Sequence, residues 1–274
     1  MREKKVWILL AASLAALSLG ALLGLRWFEE ERDDDFLLGG IQVNEPDHGK
    51  WVRSLREAGM NTVSVTVYAH QGDWNTDHLW FDEENEAVLH EIRAAKAAGL
   101  KVVLILRVAL DHAFDANRFL WHGMIQPRTA EQVESWFTQY TGFVVTWARI
   151  AQAEGVDLLG IASEMNELTS TRPLDALPPL HEYYLNDEKQ ADYRQRLLEH
   201  EAGIDPAFLV VPGGEVEPTL DAFLEARQGT YRQWALEVAG GGGEDALEAM
   251  NSRRRQLEEH WVRLIETVRA EYAG

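Results

Sequence analysis

At 274 residues and 46% hydrophobic content, the chain can bury one sizeable core, or one domain with appendages. Its 45 acidic against 26 basic residues give a formal charge of -19, which repels phosphate backbones and argues against nucleic acid as a partner. Neutral substrates, sugars among them, stay open, and the absence of cysteine tolerates an oxidising compartment without requiring one.

The N-terminus carries Arg2, Lys4 and Lys5, then an uncharged, mostly apolar run from Val6 to Leu25, then Glu29, Glu30, Glu31 and Asp33 to Asp35. At helical rise the run spans roughly 30 Å, the thickness of a bilayer core. Residues 1–26 therefore read as a transmembrane signal anchor, with its basic flank in the cytoplasm and the rest on the extracytoplasmic side, in the periplasm or at the cell exterior. A cleaved signal peptide is the other reading, kept open by the small residues from Ser18 to Ala21, although its apolar core is usually only about 7–15 residues. Residues 27–35 form an acidic linker.

From Phe36 a strand and helix rhythm begins. Phe36 to Val43 reads as the first strand, ending at Asn44-Glu45-Pro46, and Asp47 is placed to cap a helix over His48 to Glu57. Asn61 to Tyr68 is β-branched and reads as the second strand. A polar loop with His70, Trp74, Asp77, His78 and Trp80 follows. Glu83 to Ala98 has helical spacing and stops at Gly99; Lys101 to Val108 is the third strand. The loop from Asp111 to Arg128 is longer than packing needs and carries His112, Trp121 and His122. A third helix runs from Ala130 to Ala153, with Trp136 and Trp147 on its apolar face.

The fourth strand starts at Val156 and breaks off at Ser163-Glu164-Met165-Asn166-Glu167. An apolar run that ends abruptly in acidic residues is how a buried parallel strand delivers a carboxylate to the mouth of an α/β barrel. The fold class is thus α/β, a (β/α) TIM-barrel-like unit over residues 36–168 that is incomplete at about four β/α units. Glu164 is the candidate catalytic acid, its pKa raised by the apolar strand beneath it and by a neighbouring charge. Glu167, a second carboxylate at the end of the same run, is its rival, but three residues on it falls in the loop. Arg107, a charge inside an apolar strand, needs a partner, and Glu164 is the evident one, in a site or in a structural ion pair. Asn44 and Tyr68 at strand tips, and His70, Trp74, Trp121 and His122 in the rim loops, are candidate substrate contacts, with the tryptophan faces suited to stacking on sugar rings or to burial against the barrel. The histidine spacing fits no compact zinc signature, so neither metal nor cofactor is expected.

Beyond Thr169 the rhythm stops. Leu174 to Leu180 is proline-punctuated, and Asp187–His200, Thr219–Val238 and Asp245–Tyr272 read as charged amphipathic helices, so residues 169–260 are expected to be a helical insertion.

Several of these segments together resemble a known family. Ala94-Ala95-Lys96-Ala97-Ala98-Gly99-Leu100-Lys101-Val102, the Trp121-His122-Gly123-Met124-Ile125-Gln126-Pro127 loop, Tyr140 and Phe143 within Trp136 to Phe143, and Ile161-Ala162-Ser163-Glu164 look like the first half of a clan A glycoside hydrolase barrel, nearest the mannanase-like family 113. The resemblance gives Glu164 the role of general acid/base and makes a polysaccharide or oligosaccharide the substrate. Residues 261–274 are similar to the fourth barrel helix of that family. The family's nucleophile, a glutamate at the end of strand seven, has no counterpart in the sequence, so the resemblance implies a hydrolase-like protein acting on β-linked polysaccharide whose barrel a second protein chain would complete. The alternative is a non-catalytic module that binds glycan or scaffolds an envelope complex.

Overall fold

The computed structural model describes residues 37–41, 47–81, 85–201, 203–204, 209, 217, 219–240 and 244–274. The expected membrane anchor, the linker and Asn44 lie outside the described residues. Among the described residues no helix is long and apolar enough to cross a membrane.

Residues 39–274 form one unit built on a parallel sheet. Its strands are β1 (Gly39–Ile41), β2 (Thr62–Gln71), β4 (Lys101–Leu110) and β5 (Leu158–Gly160), side by side in chain order, with a short antiparallel β3 (Leu79–Trp80) returning on β2. The connecting helices are α1 (His48–Glu57), α2 (Asn85–Ala97) and α3 (Ala130–Glu154). This is the α/β, partial-barrel architecture that the strand and helix rhythm announces. β2 and β4 run on to Gln71 and Leu110, past the expected ends at Tyr68 and Val108, because their final residues pair with each other in register.

Local chemistry sets the boundaries. Asp47 accepts from the Lys50 amide at 2.8 Å and caps α1. Thr129 and Gln132 form a reciprocal capping box at the start of α3, and Gly155, at φ 66°, ends that helix in the left-handed conformation that glycine adopts without steric penalty. Asp157 then ties β5 to β4, accepting from the Val102 amide at 2.8 Å and from Lys96 Nζ at 3.0 Å.

Alternation in the strands sorts the two faces. Val63, Val65, Val67 and Ala69 of β2 and Val102, Leu104, Leu106 and Val108 of β4 are buried and share one core with Ile92 and Ala95 of α2 and the aromatic stripe of α3. The opposite, inner face carries Ser64, Thr66, Tyr68 and His70 beside Val103, Ile105, Arg107 and Ala109, all half-buried. Ile41 and Leu158 on that face are 50% and 44% exposed, so the concave side is open where a barrel interior would lie.

α2 carries one charge inward. Burial pushes the Glu91 carboxyl up to about 7. With the folded value above the unfolded one, stability is fullest below the unfolded pKa and is lost as pH rises through about 7. Glu91→Gln, which cannot ionise, is therefore expected to exceed the parent in stability by about 1 kcal/mol at about pH 8.5 and to match it closely at about pH 5, as urea unfolding at the two pH values would measure.

After β5 the chain is helical: α4 (Leu180–Leu185), α5 (Asp187–His200), α6 (Leu220–Ala239) and α7 (Glu244–Glu271). α7 is continuous across position 260, where the insertion was expected to give way to a barrel helix. Its second half lies beside α3, with Phe137 stacked on His260 at 4.5 Å, Arg149 paired with Glu271 at 2.7 Å, and the Tyr272 hydroxyl donating to Val156 O at 2.8 Å. Residue numbers rise together along the contact, so α7 runs parallel to α3, the relation of neighbouring helices in a β/α barrel.

Candidate active site

The site is assembled where β4 and β5 end. Strand pairing in β5 stops at Gly160, opposite Ile105, and Glu164 follows four residues later in a bend rather than at the strand tip. Two anchors hold that bend: the buried Tyr140 hydroxyl donates to Ile161 O at 2.7 Å, and the Trp261 indole donates to Leu168 O at 2.7 Å. Glu164 has φ 55°, the one non-glycine residue in the left-handed region among those described. A side chain with a Cβ held there is strained, and such strain concentrates at functional sites.

The Glu164 carboxylate is gripped from two sides. Arg107 Nη2 is 2.6 Å from Oε1, and His122 Nε2 is 2.7 Å from Oε2. Arg107 is itself oriented by Ser163 Oγ, which accepts from Nε at 3.1 Å. The hydrogen bond from His122, the largest effect, holds the Glu164 carboxyl below the ordinary glutamate range against the upward push of desolvation, with the Arg107 charge adding a smaller downward pull. An ionised carboxylate only accepts, so His122 Nε2 is the donor. The expected raised pKa is thus reversed: the side chain is 56% exposed, and two donors outweigh the apolar strand behind it.

His122 arrives on a loop that the helical insertion braces. Trp121 packs edge-on to His122 at 5.4 Å and meets Tyr184, at the end of α4, as a hydrogen-bond partner. Gly123 makes room for that indole, since a Cβ there would sit 2.3 Å from the Trp121 ring and 2.8 Å from Asn166 Oδ1. Arg118 pairs with Glu217 at 3.0 Å, Phe119 meets Phe223 edge-on at 5.4 Å, and the Trp234 indole donates to Met124 O at 3.1 Å. The insertion thereby fixes the loop that presents the histidine to the glutamate.

An aromatic row continues the inner face beside Arg107. Tyr68 is its register partner on β2, His70 lies 6.4 Å further along, and Trp80 stacks on His70 at 5.8 Å with rings 16° apart. Trp80 belongs with these residues more than Trp74 does. Trp74 is only 3% exposed, covered by Trp234 at 6.2 Å and by the Arg128 guanidinium, so it offers no face to a sugar. Glu167 is also turned away: it is 6% exposed, accepts from Gln126 Nε2 at 3.1 Å, and is pushed up in pKa by burial despite the Arg253 and Arg254 charges. Among the expected contacts the structure gathers Glu164, Arg107, His122, Tyr68, His70 and Trp121 at one end of the sheet and sets Trp74 and Glu167 into the interior. Ser163 was not singled out in the sequence, and nothing short of the fold marks it. His112 is exposed on its loop, and no group of three or more potential metal ligands occurs among the described residues.

The parallel sheet thus presents a charged carboxylate, in a left-handed backbone, beyond a strand end. Residues 42–173 match the pattern of Glycoside Hydrolase Family 113. Among solved structures, the chain is similar to a GH113 β-mannanase, AaManA from Alicyclobacillus acidocaldarius in complex with ManMIm, at 18% identity, with a TM-score of 0.39 over 58% of this chain and 46% of that one. It is also similar to two GH113 β-1,4-mannanase structures: one at 20% identity, TM-score 0.37, covering 47% of this chain and 45% of the other; and a complex at 17%, TM-score 0.38, covering 61% and 51%. The chain spans about half the length of these structures. No curated protein matches it.

Proposed function

We propose that this chain carries the acid/base half of a retaining glycoside hydrolase acting on β-linked polysaccharide. The observation that carries the reading is Glu164, held in a left-handed backbone at the open end of the sheet between Arg107 and His122. Retention needs two carboxyl groups about 5–5.5 Å apart, one protonating the leaving oxygen and one attacking the anomeric carbon. Glu164 takes the first role, then withdraws a proton from the water that releases the sugar. For that, its pKa must rise on binding, which a sugar ring achieves by covering the carboxyl and drawing away the His122 donor. Tyr68, His70 and Trp80 line the approach, with Trp121 behind His122. The nucleophile comes from strands beyond β5, which also cover Ile41 and Leu158 on the inner face, whether this polypeptide continues or a second chain supplies them. The apolar run from Val6 to Leu25 supports anchoring in a membrane with the site on the extracytoplasmic side.

One observation favours the second reading, a non-catalytic glycan-binding or envelope-scaffold module: each Glu164 oxygen already has a partner, Arg107 or His122, and these hold its pKa down. Hydrolysis of β-1,4-mannan, cellulose and xylan, assayed beside binding of the same glycans, separates the two. Turnover that Glu164→Gln removes while binding persists supports the enzyme. Binding without turnover in the parent chain supports the module.

A further inference from the structure

A cavity of about 410 Å³ lies away from the rim, between the start of α3, the end of α6 and the first half of α7. Its apolar floor includes Val133, Val238 and Met250, and its polar wall includes Gln126, Arg128 and Arg253. No carboxylate lines it among the described residues, which is unexpected in a chain of formal charge -19. Arg253 is half-buried, and its Nη2 is enclosed without a hydrogen-bond partner among the described residues. It borders both this cavity and a void of about 20 Å³ that Glu167 also lines.

The charges around Arg253 do not balance. Burial pulls its pKa down to about 10, the Glu167 charge pushes it back up, and Arg128 and Arg254 lower it again. Arg254 Nη1 donates to Arg172 O and Leu177 O, both at 2.7 Å, and Arg128 Nη2 donates to Glu237 O at 2.5 Å. Arg253 and Arg254 thus both face Glu167, whose own burial favours its neutral form, and although Glu182 also acts on Arg254, no other carboxylate of the described residues acts on Arg253 against the Arg128 and Arg254 charges. A buried cation with an unused donor costs free energy until an anion or an acceptor meets it.

We infer that this cavity binds a small organic carboxylate, its head group taken by Arg253 and Arg128 and its body by the floor of Val133, Val238 and Met250. The planar guanidinium fork matches a carboxylate in two parallel hydrogen bonds, and an apolar floor suits a carbon-bearing anion over a bare phosphate. The site is separate from Glu164 and does not depend on the chemistry proposed there.

The test is a thermal-shift and calorimetric titration of the full chain with sodium acetate and sodium D-glucuronate, against sodium chloride and inorganic phosphate at matched ionic strength. The expected result is a saturable, one-to-one stabilisation by a carboxylate that chloride and phosphate do not reproduce. Arg253→Met should weaken that binding by about tenfold or more. Should Arg253→Met fail to fold, Ala246→Leu, which fills the cavity without touching a charge, should weaken it comparably, and Arg128→Gln should weaken it less. No saturable shift, equal binding in the parent and Ala246→Leu chains, or phosphate acting as strongly as carboxylate would overturn the inference.

Discussion

On the proposed function, Glu164→Gln in a barrel completed with its nucleophile is expected to bind β-linked oligosaccharide about as well as the parent and to turn it over about 10²–10⁴-fold more slowly, the usual contribution of a positioned general acid/base. The amide keeps the shape and most of the polar surface of the carboxyl but can neither protonate a leaving oxygen nor deprotonate water. It also cannot satisfy Arg107 as an anion does, so part of the loss is positional. Arg107→Lys helps separate the two effects. The charge near Glu164 remains, but a lysine cannot reproduce the planar fork that meets both Ser163 Oγ and Glu164 Oε1. Its expected cost is smaller and falls on kcat more than on KM, read from initial rates on a β-1,4-linked substrate.

Trp136→Ala is expected to destabilise the chain by about 3–5 kcal/mol, a loss that urea unfolding would register as a lower midpoint at unchanged slope. Trp136 is fully buried, stacks on Tyr140 at 4.6 Å and packs edge-on to Phe137 at 5.1 Å. Its indole donates to Gln71 Oε1 at 2.9 Å, while Gln71 Nε2 satisfies Asp73 O and Thr76 O, each at 3.0 Å. Truncation leaves both a cavity and a buried amide oxygen without its donor, so the transfer and desolvation costs add. Tyr140, which holds Ile161 O, loses its stacking partner in the same step. The variant should therefore lose order at Glu164 as well as stability.

The sequence made the frame legible wherever the signals are local. Asp47, Gly99 and Gly155 punctuate helices through side-chain capping or backbone freedom that neighbours in sequence decide. The β-branched runs of β2 and β4 announce strands, and a lone arginine inside one of them calls for an acidic partner, which the structure places 2.6 Å away in Glu164. What stayed hidden depends on contacts between distant residues. Trp74 reads as a rim aromatic until Trp234, far along the insertion, is found against it. Glu167 reads as a rival acid until α7 brings Arg253 and Arg254 over it. The low pKa of Glu164 follows from the early end of β5, which leaves the carboxyl in solvent between two donors, and no local pattern marks where that pairing stops. The two-residue β3 is equally silent in sequence, since its place is set by pairing with His70 and Gln71.

The most direct measurement is a carbon-detected NMR titration of the Glu164 carboxyl in the full chain, with and without a bound β-1,4-linked manno-oligosaccharide. The account predicts a pKa below the ordinary glutamate range in the free chain and a clear rise above that range when the sugar is bound, as an acid/base requires. A carboxyl that stays low in both states, its pairing with Arg107 and His122 undisturbed by the glycan, would contradict the catalytic assignment and leave Glu164 as part of a structural ion pair.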